Sequence, residues 1–573
     1  MGSGVLLLLV SAWLTAAERP NVIVILTDDQ GYGDLSAHGN PILKTPNLDK
    51  LHDESIRFTN FHVASVCTPT RSELMSGQYA LRNKASMVPA GRNLMRRELT
   101  IMPQAFADGG YKTGLFGKWH LGDSYPYRPM DRGFQRVVWH KGWGFASEIE
   151  YDNDYYYTRY LDEMEVKFSD KFCANLWFDE AMKWMDDRIA ADEPFFTYLS
   201  LNTPHMPFHA RHPDFGLYRD KVDDPDIAHF FGLIHNVDQN YARLDKWMAD
   251  KGIRDDTIVV LMNDNGTAKG ETVFNAGMRG MKGSRYEGGH RAFCFLRWPN
   301  GDLGKPRAVD YAAHVTDIFP TLTDLAGIEG PDGLDGSSLR DAITGKGEDR
   351  KIIVQYGGRV APAKYEWGSV LWNQWRLVGS DELYDLKKDP GQKANAAKRN
   401  PKILKSMRDY YDEYWASIED SIAVVEPVVI RADDVTEFTS THWLEVDCEW
   451  YRYIANTRGP ERGGVWHLDV EKAGEYEVEL RRWPFHMNRR LTEIGPSTTI
   501  GGMPIDAGVA VPIAKAAMRI DGATPLQKDT AVADVSVSFD VELTQGRHTL
   551  QGWFKSAVDV ELTGAYYARV RAK

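Results

Sequence analysis

The strongest constraint on the fold is an uninterrupted apolar run, residues 21–26 (NVIVIL), which leads after one threonine into two aspartates. Residues 257–262 (TIVVLM) and 194–201 have the same character, and intervening stretches such as 47–54 and 178–189 are typical of helices. Continuous runs rich in β-branched residues indicate strands that are buried on both faces, as in parallel sheets. The sequence therefore predicts an α/β fold with a mostly parallel central sheet flanked by helices.

The pattern changes twice along the rest of the chain. From about residue 331, short strands at 352–356 and 375–378 and a helix at 401–418 predict a smaller α+β subdomain. After about residue 430, apolar and polar residues alternate, as at 474–480 (GEYEVEL) and 535–543 (VSVSFDVEL), which predicts a β-rich, sandwich-like region. The predicted parts are a signal peptide (1–17), an α/β domain that carries the chemistry (18–330), the α+β subdomain (331–428) and a β-rich accessory domain (429–573).

The net charge and the amino-terminal segment restrict the binding partners and the location of the protein. The 573 residues carry a formal net charge of −13, which argues against binding to nucleic acid or to an anionic membrane, since both need a basic face. Residues 5–16 (VLLLLVSAWLTA) form a short apolar run, with small residues at Ala16 and Ala17. This pattern predicts a secretory signal cleaved near Ala17, a periplasmic or secreted protein, and no membrane span after its removal. The four widely spaced cysteines indicate no disulfide framework.

Two pairs of oxygen-bearing side chains follow two of the predicted strands. Asp28 and Asp29 come after the run at 21–26, and Asp264 and Asn265 after the run at 257–262. In open α/β sheets, ligands bind at the carboxyl ends of the strands, and carboxylate and amide oxygens suit Ca²⁺ or Mg²⁺ better than zinc. Because such residues also form turns after strands, they leave both a metal site and plain turns open.

Cys67 stands in an unusual local setting. It opens the segment Cys67-Thr68-Pro69-Thr70-Arg71, and the apolar residues that follow favour a helix that begins here. A helix amino terminus attracts anions, and Arg71 is suited to hold an anion or to stabilise a charged nucleophile. A cysteine in such a place can act as a thiolate, although a lone cysteine is more often a small buried apolar residue.

Several longer segments together resemble the formylglycine-dependent sulfatase family of the alkaline-phosphatase-like superfamily. Residues 67–77 resemble its first signature, residues 110–122 (GYKTGLFGKWHLG) its second, and residues 28–34 (DDQGYGD) its first metal-binding segment. His205 and Lys282 fall where that family carries a His and a Lys, and residues 382–390 resemble its carboxy-terminal subdomain. The resemblance spans roughly residues 20–420, with mild departures from the usual pattern at Thr70, Ser76 and Gln392.

The resemblance implies a hydrolase of sulfate esters. In that family a maturation enzyme recognises the Cys-x-Pro-x-Arg run and oxidises the cysteine, here Cys67, to formylglycine, whose hydrated aldehyde attacks sulfur. The resemblance also implies one Ca²⁺ ion, with ligands at Asp28, Asp29, Cys67, Asp264 and Asn265. The other catalytic residues that it implies are Arg71, Lys118 and Lys282 around the anion, His120 beside the nucleophile, and His205 as general acid together with Lys282.

The sequence says less about the substrate, for which we expect a sulfated carbohydrate. An aromatic and acidic stretch suits a sugar but is equally an ordinary packed insertion: Trp139, His140, Trp143, Tyr151, Asp152, Asp154 and residues 155–157. Arg481, Arg482 and Trp483 either contact a second anionic group or belong to a sheet surface. The alternatives are a small aryl sulfate, a phosphate or phosphonate monoester, and a non-catalytic carbohydrate-binding role. The oxygen-rich ligand set favours sulfate esters, and the presence of every motif residue argues against a non-catalytic protein.

Overall fold

The computed structural model describes residues 19–573 apart from 89–90, 146–152, 358–361, 445, 447, 449–453, 455–461, 501–502 and 506. The predicted signal peptide, and Tyr151 and Asp152 of the aromatic stretch, lie outside the described residues. Within the described residues, no helix combines the length and apolarity that crossing a membrane requires. All four cysteines are buried free thiols.

The amino-terminal part of the chain is built on one eleven-stranded sheet, in the order β11-β2-β10-β8-β1-β7-β3-β4-β5-β6 with β9 beside β2. Its central strands, from β8 through β1, β7 and β3 to β4, run parallel. Antiparallel neighbours extend the sheet at β10, β5 and β6. The strands are β1 Asn21–Thr27, β2 Ile56–His62, β3 Lys112–Lys118, β4 Arg136–His140, β5 Thr158–Asp162, β6 Glu165–Ser169, β7 Phe195–Ser200, β8 Thr257–Asn263, β9 Arg291–Ala292, β10 Cys294–Arg297 and β11 Arg307–His314.

Helices cover both faces of this sheet. Alternate residues of β1 point to opposite sides, so that Val24 packs in the apolar layer of α2, α4 and α9, and Ile25 in that of α1, α5 and α7. This double burial explains why β1 is apolar without interruption. The helices are α1 Pro46–Asp53, α2 Cys67–Ser76, α3 Ala80–Asn83, α4 Met102–Asp108, α5 Cys173–Ala190, α6 His212–Gly216, α7 Pro225–Asp250, α8 Glu287–His290 and α9 Ile318–Ala326.

A smaller antiparallel sheet follows. It has the order β12-β13-β14-β15, and α11 packs on it through Met407 and Tyr411. Arg376 of β14 is buried and donates from Nε to Glu287 Oε1 at 2.5 Å, which ties this unit to α8 of the first. The elements are α10 Arg340–Ile343, β12 Lys351–Gln355, β13 Gly368–Trp372, β14 Trp375–Val378, β15 Glu382–Asp385, α11 Pro401–Ala416 and α12 Glu419–Ile422.

The carboxy-terminal region is a β-sandwich. A six-stranded sheet (β16-β18-β25-β22-β23, with β26 beside β25) and a four-stranded sheet (β17-β27-β19-β24) share one apolar core, and β20 and β21 form a separate hairpin. Tyr127 of the first unit donates its hydroxyl to Pro427 O at 2.7 Å, next to the start of the sandwich. The strands are β16 Val428–Ile430, β17 Thr436–Thr439, β18 Trp466–Val470, β19 Gly474–Arg481, β20 Thr498–Ile500, β21 Met503–Ile505, β22 Lys515–Ile520, β23 Leu526–Asp529, β24 Val537–Leu543, β25 Gly546–Lys555, β26 Glu561–Gly564 and β27 Tyr567–Ala572.

The predicted fold class is confirmed. The three apolar runs form the adjacent central strands β8, β1 and β7, and the predicted helix after Cys67 is α2. The alternating segments after residue 430 form β19, β24 and β25 of the sandwich. The sequence did not indicate the antiparallel strands at the flanks of the central sheet.

Candidate active site

Four parallel strands deliver polar side chains to one edge of the central sheet. β1 leads into Asp28, β8 into Asp264, β3 ends at Lys118, and β7 leads toward His205. In the parallel registers, Thr27 pairs with Asn263, and Ser200 with Leu26 and Gly117, so the four strand ends lie side by side. This carboxyl edge is where open α/β sheets bind ligands.

Cys67 is the first residue of α2 and faces this edge. Its Sγ lies 3.5 Å from His120 Nδ1, and Thr68 Oγ1 lies 3.2 Å from the same nitrogen. Every residue of α2 is buried, and Cys67 is only 1% exposed. The helix therefore directs its amino terminus, which carries partial positive charge, at the strand ends.

Arg71 links the helix to the strand ends. It stands one turn after Cys67 and is fully buried. Its Nη2 donates to Asp264 Oδ2 at 3.0 Å and lies 3.6 Å from Asp28 Oδ2, while Nη1 donates to Ser200 Oγ at 2.5 Å. The guanidinium is thereby fixed between β7 and β8, and the carboxylates raise the pKa of Arg71 against the effect of burial.

Two lysines approach the remaining carboxylate oxygens. Lys118 Nζ lies 2.7 Å from Asp28 Oδ2, and Lys282 Nζ lies 2.6 Å from Asp29 Oδ1. Three cations, Arg71, Lys118 and Lys282, thus face three carboxylates, Asp28, Asp29 and Asp264. The protein side chains of this cluster are balanced in charge, so a divalent cation bound among them would leave a net positive centre.

The pKa values of the two aspartates nearest Arg71 are shifted in opposite directions. Burial raises the pKa of Asp28, but the charges of Lys118, His205 and Arg71 outweigh burial and hold it well below its usual range. Burial and repulsion by Asp28 raise the pKa of Asp264 well above its usual value, although Arg71 opposes them.

The oxygen atoms at the centre fit a hard divalent cation. Asp28 Oδ1 and Asn265 Oδ1 are buried, and no hydrogen-bond partner for them occurs among the described residues. Asn265 Nδ2 donates to Asp29 Oδ1 at 2.9 Å, so its own carbonyl oxygen points elsewhere. Because unsatisfied buried oxygens are costly, a Ca²⁺ or Mg²⁺ ion matches this donor set. Ligand atoms of Asp28, Asp29 and His205 lie within 4.8 Å of one another.

Two residues of the site have left-handed backbone conformations. Asp29 has φ of 70° and His120 has φ of 62°, a region that side chains other than glycine adopt at some cost. For Asp29 the turn aims the backbone N–H at Asp264 Oδ1, 3.0 Å away. Both residues stand two positions after the end of a strand, Asp29 after β1 and His120 after β3.

His205 is held by backbone contacts on the far side of the cluster. Its Nδ1 lies 2.6 Å from Met206 O, an acceptor, so Nδ1 carries a proton and Nε2 faces Asp29 Oδ2 at 3.7 Å. Tyr155 donates its hydroxyl to His205 O at 2.6 Å, and the Trp143 ring lies at a centroid distance of 5.8 Å. Burial and the nearby Lys282 lower the pKa of His205 to about 4.

All the site residues predicted from the sequence therefore meet at one place. Sequence reasoning missed Ser200, which links Arg71 to Lys118 O, and Thr68 beside His120. Ser200 was findable in principle, since it is the last residue of an apolar run whose neighbours end in the same edge.

The sugar-binding interpretation of the aromatic stretch does not hold for three of its residues. Trp139, His140 and Tyr155 are buried in the core, so their faces cannot receive a sugar. Trp143, which is only partly buried, packs beside His205. A second anion contact at Arg482 is also wrong, because that guanidinium is buried and donates to backbone carbonyls, including Leu491 O and Val509 O.

Comparison with known proteins places this geometry in a family. The family described as Sulfatase matches residues 20–328. The chain is 28% identical over 391 residues to N-acetylgalactosamine-6-sulfatase of Canis lupus familiaris (62% of this chain, 73% of the relative). It is 28% identical over 474 residues to arylsulfatase A of Homo sapiens (70% and 89%).

A solved structure shares the fold. The crystal structure of Ps i-CgsB in complex with k-i-k-neocarrahexaose superimposes with a TM-score of 0.63 at 24% identity and covers 69% of this chain and 92% of that chain. The matched family segment contains the strand ends and Cys67, Arg71, Lys118, His120, His205 and Lys282. The chain belongs to the sulfatase family and is a sulfuric ester hydrolase.

Proposed function

We propose that this protein removes sulfate from a sulfated carbohydrate, with a nucleophile made from Cys67 and with one Ca²⁺ ion. One observation carries the proposal: Cys67, at the buried amino terminus of α2, lies 3.5 Å from His120, and Arg71 one turn later bonds to Asp264. A candidate nucleophile, cations and oxygen ligands thus share one centre.

Ca²⁺ would be held by Asp28, Asp29, Asp264 and Asn265 together with the side chain at position 67. When bound, it supplies positive charge against a sulfate oxygen and the nucleophile. The unsatisfied oxygens of Asp28 and Asn265 support this assignment. Because the three aspartates are already balanced by three cations, the ion would give the site the net positive charge that an anionic ester requires.

Formylglycine at position 67, formed by a maturation enzyme, would supply a hydroxyl nucleophile in place of the thiol. Arg71 and Lys118 are fixed by Asp264 and Asp28, so they can hold the ester without reorganising. His120, whose Nδ1 faces position 67 and Thr68, is placed to exchange a proton with the nucleophile.

His205 and Lys282 are the candidate acids for the leaving oxygen. Nδ1 of His205 donates to Met206 O, so Nε2 must take up a proton before it can act as an acid. Lys282 is charged and 2.6 Å from Asp29 Oδ1, and Asp29 lies 3.7 Å from His205 Nε2. The two side chains therefore share a carboxylate through which their charges interact.

A glycan substrate is supported by the names of similar proteins. One relative is an N-acetylgalactosamine-6-sulfatase, and the structural neighbour holds a neocarrahexaose. A small aryl sulfate is the alternative, since another relative is arylsulfatase A. A phosphate or phosphonate monoester is a weaker alternative, because the candidate ligand set is mostly oxygen.

We also propose where the protein is located and which part of the chain has which role. Residues 1–17 would direct export to the periplasm or beyond, residues 18–330 would carry catalysis, residues 331–428 would complete the core, and residues 429–573 would be an accessory domain.

The test combines mass and turnover. The protein is co-produced with a formylglycine-generating enzyme, and the peptide that contains residue 67 is weighed while sulfate release from sulfated sugars, 4-nitrophenyl sulfate and 4-nitrophenyl phosphate is measured. We expect the mass of formylglycine and a preference for sulfate esters. Full activity with an unmodified cysteine would refute the mechanism, and faster turnover of the phosphate ester would refute the substrate class.

A further inference from the structure

A groove separates the first unit from the β-sandwich. It has a volume of about 570 Å³, and one wall comes from β5, β6 and the loops after β3 and β4, the other from the sandwich. Its cations are Arg128, Lys141 and Arg159 on the first wall and Arg431 and Arg569 on the second. We call this feature the basic groove.

The charge of the basic groove is opposite to that of the protein. Five cationic side chains and three carboxylates line it, in a chain with a formal net charge of −13. Burial raises the pKa of Asp123, one of the three carboxylates, to about 6 in spite of Lys141. A cleft with a local excess of one charge attracts ligands of the other.

The guanidinium groups of the groove are fixed against aromatic rings. Arg431 lies over Tyr125 at 5.0 Å from the ring centroid, and Arg569 lies over Phe485 at 3.9 Å. Glu437 accepts from Nε and Nη2 of Arg569. Arg431 also pairs with Asp433 and Asp434, and Arg128 pairs with Asp131. Because a guanidinium has five N–H donors, these ion pairs leave donors that suit a sulfate group.

One end of the groove begins on the loops of the active site. Asp123 follows His120 by three residues, and Lys141 follows His140, the last residue of β4. Gly142 N donates to Asp123 Oδ1 at 3.0 Å, so the two loops are joined. Trp143, next along the second loop, packs near His205. The wall of the groove is therefore joined directly to loops that carry residues of the catalytic centre.

Apolar side chains from both walls also line the basic groove. Met164 and Val166 line it and are 44% and 52% exposed, and Tyr160 and Phe485 also face it. Exposed apolar and aromatic faces beside fixed cations suit a sugar chain, whose rings have apolar faces and whose substituents are anionic.

We infer that the basic groove binds further sulfated sugars of an oligosaccharide, beyond the one that is cleaved at Cys67. The inference rests on the proposed function for its connection to catalysis. On this inference the protein binds several sugars of a polymer at once, and the sandwich contributes directly to substrate binding.

The test measures binding separately from turnover. Calorimetry with the Cys67→Ala variant gives the affinity for hexasaccharides of ι-carrageenan and of chondroitin 6-sulfate, and for their desulfated counterparts, at 50 and 200 mM NaCl. We expect at least one sulfated hexasaccharide to bind, to weaken with salt, and to lose ~10-fold or more in affinity on Arg431→Gln with Arg569→Gln. The matched control is Arg243→Gln with Lys246→Gln, two exposed, ion-paired cations of α7.

Because Arg569 also packs on Phe485, the single variants Arg431→Gln and Arg159→Gln are measured too, with thermal unfolding as a check on folding. In the active protein, the groove variants should leave the KM for 4-nitrophenyl sulfate unchanged while raising that for the hexasaccharide. Equal binding of the desulfated sugars, no binding of either sulfated hexasaccharide, or no loss in folded groove variants would overturn the inference. Absence of sulfate ester hydrolysis would instead overturn the proposed function, since the calorimetric result does not depend on it.

Discussion

The ammonium group of Lys118 lies 2.7 Å from Asp28 Oδ2, and both side chains are fully buried. A buried ion pair is costly to form, and removal of one partner leaves the other charge uncompensated. In the proposed mechanism this pair also has a catalytic use. Lys118 is held at the end of β3, where it can meet an anionic ester while Asp28 meets a cation.

Replacement of Lys118 by methionine should lower kcat/KM for 4-nitrophenyl sulfate by about 10²-fold or more, since one preorganised group that stabilises transition-state charge is worth that much. Lys112→Met is the matched control, because Lys112 begins the same strand but is 40% exposed. It should change the rate by less than about twofold. Similar rates in the two variants would remove Lys118 from the catalytic group.

Calcium should stabilise the folded protein through Asn265. Dialysis against EGTA should lower the unfolding temperature, and added CaCl₂ should restore it. When calcium is present at 100 times its dissociation constant, the free energy of unfolding should rise by about 2.7 kcal/mol. Asn265→Ala should lose most of this response because it removes a buried oxygen without changing the charge. Asn300→Ala, at an exposed turn, should respond as the wild type does. An equal response in Asn265→Ala would place the ion elsewhere.

His205→Ala should separate substrates by their leaving groups. Sugar alkoxides need a proton on departure, whereas 4-nitrophenolate does not, so general acid catalysis matters for the first and little for the second. We expect a loss of about 10²–10⁴-fold in kcat for a sulfated sugar and a much smaller loss for 4-nitrophenyl sulfate. His52→Ala, on α1, serves as the control. Equal losses for both substrates would indicate a positioning role.

The contact between Glu287 and Arg376 should make stability depend on pH. Burial raises the pKa of Glu287, but Arg376 and Arg291 outweigh it and lower the value to about 2. Burial lowers the pKa of Arg376, which nevertheless stays protonated in the accessible range. Since the folded pKa lies below the ordinary 4.5, the stabilisation is complete above that pH and is lost as the pH falls toward 2.

Glu287→Gln should therefore cost roughly 3–5 kcal/mol in unfolding free energy at pH 7, and the deficit should shrink between pH 4.5 and 2. Urea unfolding at several pH values measures this difference. Glu413→Gln, on the exposed side of α11, should show no such trend. A deficit that stayed constant with pH would mean that packing, and not the ion pair, sets the cost.

Much of the fold and part of the site were predictable because their signals are local. Residues 21–26 and 257–262 predicted buried parallel strands, and the rule for strand ends placed Asp28 and Asp264 at one edge. The partners of those carboxylates come from far along the chain: Arg71 and Asp264 are 193 residues apart, and Asp29 and Lys282 are 253 apart. No local pattern reports such pairs, so they followed from family resemblance alone.

The burial of individual side chains was the property that was hardest to predict from the sequence. Trp139 and Tyr155 stand in a stretch rich in aromatic and acidic residues, yet both are core residues whose polar atoms bond to backbone oxygens. Arg482 follows an alternating strand and is nevertheless fully buried, because several carbonyls accept from it. Which face of an element meets a neighbour depends on the assembled units, and neither composition nor period contains that information.

The complete enclosure of α2 bears on biosynthesis. In the proposed mechanism a modifying enzyme has to reach residue 67, and in the folded protein the segment that begins there is helical and buried at every residue. On that proposal, conversion precedes the formation of α2, so maturation and folding compete in time. By that reasoning, a variant that folds faster would contain a larger fraction of molecules with an unconverted Cys67, and these molecules would be inactive.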